Sequence, residues 1–225
     1  MQTMTERETP SVDGLVIGIL GGTGDQGRGL ARRFALAGHQ VIIGSRSSER
    51  AAAAAQEIGH GVQGLANADA ARGASVIIAA VPWEGHGDLL SALAGELAGK
   101  IVVDCVNPLG FDQRGAYALP VAEGSAAQQA AALLPGSRVV AAFHHVSAVL
   151  LLDPEVDTID LDVLVLGDDR AATDLVQALA ARIPGVRGIY AGRLRNCGQI
   201  EALTANLVSI NRRYKAHAGL RVTDI

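Results

Sequence analysis

The feature that most constrains this chain is a glycine turn, Gly22-Thr23-Gly24-Asp25-Gln26-Gly27, set between an apolar run and a helical pattern. Leu15–Leu20 is apolar without alternation, the signature of a strand buried on both faces, as in a parallel sheet. From Arg28 to Ala37, apolar residues recur at Leu30, Phe34 and Ala37 before a stop at Gly38, which predicts a helix with one buried stripe. Strand, G-x-G-x-x-G turn and helix together form a βα unit able to hold a dinucleotide. The first glycine allows the tight turn. The second lets backbone approach a pyrophosphate, and the third lets helix and strand pack closely. The N–H groups of the first helical turn then face the anion.

The same rhythm continues. Strands are expected at Val41–Ile43, near Val62, and at Val76–Ala80, Ile101–Asp104, Val139–Ala142, Val163–Leu166 and Ile189. Helices are expected at Ser48–Ile58, near Asp69, and at Leu89–Leu97, Ala126–Leu134 and Ala171–Ile183. Alternation of this kind implies an α/β, doubly wound Rossmann fold with a mostly parallel sheet. In the last segment Ile200, Leu203, Leu207, Ile210 and Tyr214 recur three and four apart, the seam of one long helix that packs on the main domain or on a second subunit. The expected organisation is a tail over 1–13, a coenzyme-binding domain over 14–190 and a small helical cap or dimerisation region over 191–225.

Composition narrows the class. A chain of 225 residues, 49% hydrophobic, can bury one full core. A net charge of −4, with only two lysines, argues against a nucleic-acid partner that binds by bulk attraction. Cys105 and Cys197 stand apart, outside any CxxC or Cys/His spacing, which fits a reduced cytoplasmic interior. No apolar stretch reaches the ~18 residues of a membrane helix, and 1–13 mixes charges with a proline, unlike a signal segment.

The residues after the second strand select the coenzyme. A site for NAD places an acid there to bind the ribose 2′-hydroxyl. Here the sequence reads Gly44-Ser45-Arg46-Ser47-Ser48-Glu49-Arg50. A hydroxyl at Ser45 and guanidinium groups at Arg46 and Arg50 suit a 2′-phosphate, so NADP(H) is expected. An arginine at a helix start otherwise opposes the helix dipole.

Two further strand ends offer walls and a functional group. Val81, Pro82 and Trp83 follow the fourth strand, where ligands sit in open α/β sheets, and Trp83 either lines the cleft or packs between helix and sheet. Strand Val139–Ala142 runs into Phe143-His144-His145-Val146-Ser147-Ala148. Neighbouring side chains on extended backbone point to opposite sides, so the two histidines do not share a metal, and no metal is expected. His144 either bonds or protonates a substrate or is held by backbone. The chain has no Ser-His-Asp set, paired carboxylates, P-loop or catalytic lysine. Such a site suits hydride transfer between two stacked rings, which needs alignment more than proton traffic.

Taken together, Ile17–Gly24, Gly44-Ser45-Arg46, Val81-Pro82-Trp83-Glu84 and the Phe143–Ala148 segment resemble the NADPH-dependent reductases of coenzyme F-420 (F420), an 8-hydroxy-5-deazaflavin. The resemblance extends through Gly167-Asp168-Asp169 and the last helix. It implies reversible hydride transfer between nicotinamide C4 and deazaflavin C5 in a homodimer. It places Thr23, Ser45, Arg46 and Arg50 on the NADP phosphates, and Trp83, His144 and Ala148 around the stacked rings. Two alternatives share the fingerprint: an imine reductase of the pyrroline-5-carboxylate reductase type, with His144 delivering a proton, and a non-catalytic NADP(H)-sensing module.

Overall fold

The computed structural model describes residues 9–225, so most of the expected tail lies outside the described residues. The chain runs β1 (Val16–Leu20), α1 (Asp25–Leu36), β2 (Gln40–Ser45), α2 (Ser48–Ile58), β3 (Gln63–Ala66), α3 (Asn67–Gly73) and β4 (Val76–Ala79). A 3-10 turn, Trp83–Gly85, leads to α4 (His86–Ala92), α5 (Ala94–Leu97) and β5 (Ile101–Asp104). After these come β6 (Leu109–Asp112), β7 (Gly115–Ala118), α6 (Ala126–Leu133), β8 (Arg138–Ala141) and α7 (Ala148–Leu152). The chain finishes with β9 (Leu161–Gly167), α8 (Arg170–Ala180), β10 (Val186–Gly192) and α9 (Cys197–Tyr214).

Eight strands form one sheet in the order β10-β9-β8-β5-β4-β1-β2-β3. The six strands from β8 to β3 are parallel, whereas β9 pairs antiparallel to β8 and β10 follows β9. The chain fills one side of β1 with β2 and β3, then crosses to β4 on the other side. A crevice therefore opens between the ends of β1 and β4, the switch point of a doubly wound sheet. Successive residues of each strand feed opposite layers: Ile17, Ile19 and Ile78 face one core with α1 and α8, and Leu20, Ile77 and Val102 face the other with α3, α4 and α6.

Several expectations are corrected. The expected helix Leu89–Leu97 is broken at Leu93, giving α4 and α5. The hairpin of β6 and β7 and the five-residue α7 were not anticipated, because each is too short to show a period. The left-handed residue of the glycine turn is Gly21 (φ +71°), one position before the fingerprint. Gly22 is needed instead for close approach, since a Cβ there would lie 2.6 Å from that of Ile43.

Candidate active site

Strand register brings the site together. Leu20 pairs with Gly44 on one side and with Ala79 on the other, and Ala79 pairs with Asp104, which pairs with Ala141. The glycine turn, Ser45, Val81-Pro82-Trp83, the loop after Asp104 and the Phe143–Ala148 segment consequently leave the sheet at one edge.

At that edge the fingerprint glycines do different work. A Cβ on Gly27 would meet Gly22 Cα at 2.7 Å, so this pair packs helix on strand. Gly24 is exposed, with nothing nearer its missing Cβ than the Gly21 carbonyl at 3.7 Å, which leaves backbone accessible to a pyrophosphate. Gly24 is also the N-cap of α1, and no side chain caps the helix, so its first N–H groups are free for an anion. Thr23 and Gln26 are half-buried beside them and Asp25 is exposed in the first turn.

Ser45 ends β2 and is buried, while Arg46 and Arg50 are exposed at the start of α2. Ser47 caps that helix by accepting the Arg50 N–H at 3.3 Å. Among the described residues neither arginine has an ion-pair partner, so two guanidinium groups stand free beside the end of β2.

His144 is the most unusual side chain of the edge. It is 4% exposed, yet among the described residues neither ring nitrogen has a hydrogen-bond partner. Burial pushes its pKa down to about 4, so the ring is neutral at physiological pH. Its backbone is held firmly: the His144 carbonyl accepts from Asn107 Nδ2 at 2.8 Å and from Thr204 Oγ1 of α9 at 3.4 Å. The preceding Phe143 takes a left-handed φ of +64°, unusual for a residue with a bulky side chain, and its carbonyl accepts from Gln26 Nε2 at 3.2 Å. His144 and His145 lie in a turn, not on the extended backbone expected, because the left-handed Phe143 ends the strand direction before them; His145 Nε2 donates to the Asp162 carbonyl at 3.2 Å. Ala148 opens α7 and is half-buried.

Sequence reasoning missed the support under Trp83. The half-buried indole lies 5.6 Å from the His86 ring, tilted by 32°. His86 and Asp104 are both 0% exposed, with His86 Nε2 2.5 Å from Asp104 Oδ2 and Nδ1 3.1 Å from Gln129 Oε1. Burial opposes charge on this imidazole, but Asp104 and Gln129 outweigh it and its pKa is raised. The second Asp104 oxygen accepts the Val106 N–H at 3.0 Å. Glu201 of α9, 2% exposed, accepts the Ala126 and Ala127 N–H groups at 2.8 and 3.2 Å and so caps α6 from another element. An Asp ending an otherwise apolar strand and a His three residues after Trp83 were the available signals. Among the described residues no group of three or more His, Cys, Asp or Glu side chains is arranged to hold a metal ion.

Residues 16–108 match the family of coenzyme F420-dependent NADP oxidoreductases. The F420-dependent NADP reductase of Methanothermobacter marburgensis is 41% identical over 221 residues, covering 93% of this chain and 98% of that protein. The chain belongs to this family. A solved structure from Arthrobacter sp. FB24, named as an F420-dependent NADP-reductase, is 30% identical, covers 94% of this chain and all of its own, and superposes with a TM-score of 0.82. The pyrroline-5-carboxylate reductase of Coxiella burnetii covers 90% of this chain and 68% of its own at a TM-score of 0.62, but at 14% identity it shares with this family the fold alone.

Proposed function

We propose that the protein catalyses reversible hydride transfer between C4 of the NADP(H) nicotinamide and C5 of coenzyme F420. In the forward direction NADPH and a solvent proton reduce the deazaflavin, leaving NADP⁺. The family membership supports this reading, and the observation that carries it at the site is His144: buried, neutral and with both ring nitrogens unsatisfied. Leaving such polar atoms buried without partners costs about 1–3 kcal/mol each, a cost offset when a ligand supplies them.

On this reading Gly22, Thr23, Gly24, Asp25, Gln26 and Gly27 hold the pyrophosphate, and Ser45, Arg46 and Arg50 take the 2′-phosphate. Val81, Pro82 and Trp83 wall the nicotinamide, and His144 and Ala148 border the deazaflavin. The nicotinamide supplies the hydride when bound. The protein's part is to hold both rings in register and to keep water out. A histidine with a pKa near 4 is a poor donor at pH 7, which disfavours the imine-reductase alternative, where nitrogen needs a proton. The NADP(H)-sensing alternative lacks a supporting observation.

Mixing the protein with NADPH and F420 should bleach the visible absorbance of the deazaflavin. The His144→Ala variant should lose about tenfold in kcat/KM, comparable to one lost hydrogen bond, and keep the wild-type pH profile between 6 and 8. No bleaching with coenzyme binding intact refutes the reading, and collapse of His144→Ala to background would make His144 an obligate acid.

We further infer a homodimer in the cytoplasm, with 191–225 acting as cap and interface. The seam of α9 leaves the core along its length: Leu207 is buried, but Ile210 is 40% and Tyr214 73% exposed. Phe111 and Tyr117 of the neighbouring hairpin are 69% and 47% exposed. These apolar groups gain most by burial against a second copy. Light scattering should give the mass of two chains, and a single-chain mass would exclude this. Among the described residues no helix is long and apolar enough to cross a membrane. Both cysteines are buried as free thiols, which fits a reducing compartment.

A further inference from the structure

We propose that α1 couples the two halves of the site, with Gln26, Gly29 and Arg33 as positioning residues that tie the Phe143–Val156 segment to the helix that receives the coenzyme pyrophosphate. This rests on the coenzyme placement given above.

The three residues are spaced by three and four and so form one stripe of α1, about 10 Å long at 1.5 Å per residue. At its start Gln26 donates to the Phe143 carbonyl. In its middle Gly29 lies against α7, where a Cβ would meet Leu151 Cβ at 2.6 Å. At its end Arg33, 4% exposed, gathers four carbonyls: Nε to Leu151 at 2.9 Å, Nη1 to Val156 at 2.7 Å, and Nη2 to Leu150 at 2.6 Å and Asp153 at 3.2 Å. No carboxylate lies within 4.0 Å of Arg33 among the described residues. Its charge is matched by carbonyl dipoles, those of Leu150 and Leu151 belonging to α7 and that of Asp153 to its C-cap.

A five-residue helix does not stand by itself, because nucleation is too costly. The position of α7 is therefore set by what it docks on, and α1 is its main support. Phe34 of α1 adds an edge-to-face contact with Phe143, 6.0 Å between ring centres. The N-terminus of α7 carries Ala148, and the turn before it carries His144. Ordering of α1 by an anion at its N-terminus thereby orders the wall of the second ring site as well.

Hydrogen exchange on the full chain, with and without NADP⁺, tests this. In the wild type NADP⁺ should slow exchange over residues 20–28 and also over 149–156, the part held by the far end of the stripe. Gly29→Ala places a better helix former in α1 while pushing α7 away. It should keep coenzyme protection over 20–28 and lose it over 149–156. The KM for F420 should rise about tenfold, the scale of one lost hydrogen bond, with the KM for NADPH within about twofold. Arg33→Lys, which keeps the charge but fewer donors, should fall between wild type and Arg33→Met. Equal protection of 149–156 in wild type and Gly29→Ala overturns the coupling, as does protection confined to 20–28 in the wild type. A parallel rise of both KM values makes the stripe merely structural and overturns it too. If NADP⁺ protects neither region of the wild type, the coenzyme placement itself falls, and the coupling with it.

Discussion

Replacing Arg46 and Arg50 together by alanine should lower kcat/KM for NADPH by about a hundredfold or more and change that for NADH by less than about threefold, because charge-assisted bonds are worth about 1.5–3 kcal/mol each. The structure supplies the reason for so selective an effect. Both side chains are exposed and unpaired, so no internal contact is lost on truncation. Ser47, not either arginine, caps α2. Arg50 in the first turn of α2 and Arg46 just before its N-cap both oppose the helix dipole, so the double variant should melt no lower than wild type without coenzyme and slightly higher at low salt. Steady-state kinetics with both coenzymes, beside a melt of the apo protein, separate recognition from folding. An unchanged preference for NADPH over NADH would mean that the 2′-phosphate is held elsewhere.

His86→Leu should cost about 3–5 kcal/mol, since it strands the Asp104 carboxylate with no counter-charge in a fully buried position. For a domain of this size that lowers Tm by about 6–20 °C. Changing both partners, His86→Leu with Asp104→Asn, should recover at least half of the loss, because the isosteric amide leaves no charge stranded and its oxygen still accepts the Val106 N–H. Calorimetry on the two variants decides the matter, and a double variant as unstable as the single one would show that the pair is not the stabilising unit. The pH dependence carries a sign. The His86 pKa is raised in the folded state, so its contribution is complete below the ordinary histidine value and is lost as pH rises through the folded one. Glu201 behaves alike: burial, more than the nearby Asp104, raises it to about 7, and its term is lost between about 4.5 and 7 as pH rises. His144 acts oppositely. Its pKa is lowered to about 4, so stability grows as pH rises from 4 towards the ordinary value.

The residues whose chemistry is local were legible in advance. A buried strand, three glycines at fixed spacing and a helix start are contiguous in the chain, so their geometry follows from backbone sterics alone. Ser45, Arg46 and Arg50 lie at a strand-to-helix turn that the same alternation locates. Trp83 and His144 could be named from their strand ends, but what surrounds them could not. His86 supports Trp83 only because β5 brings Asp104 alongside, 18 residues later. Asn107 and Thr204 hold the His144 carbonyl across separations of 37 and 60 residues. Pairings of this kind leave no periodic trace.

By itself the sequence determined the doubly wound architecture, the position of the glycine turn at its centre and NADP(H) as the coenzyme to expect, all consequences of short-range pattern and charge. Only the tertiary structure decided which of two adjacent histidines finds a hydrogen-bond partner. It also decided that Gly21, and not Gly22, carries the left-handed turn, and that Arg33 of α1 gathers the carbonyls at the end of α7. The reason is physical: burial and hydrogen-bond satisfaction depend on which distant segments meet. That His144 keeps two free nitrogens while His145 spends one on the Asp162 carbonyl follows from where β9 lies.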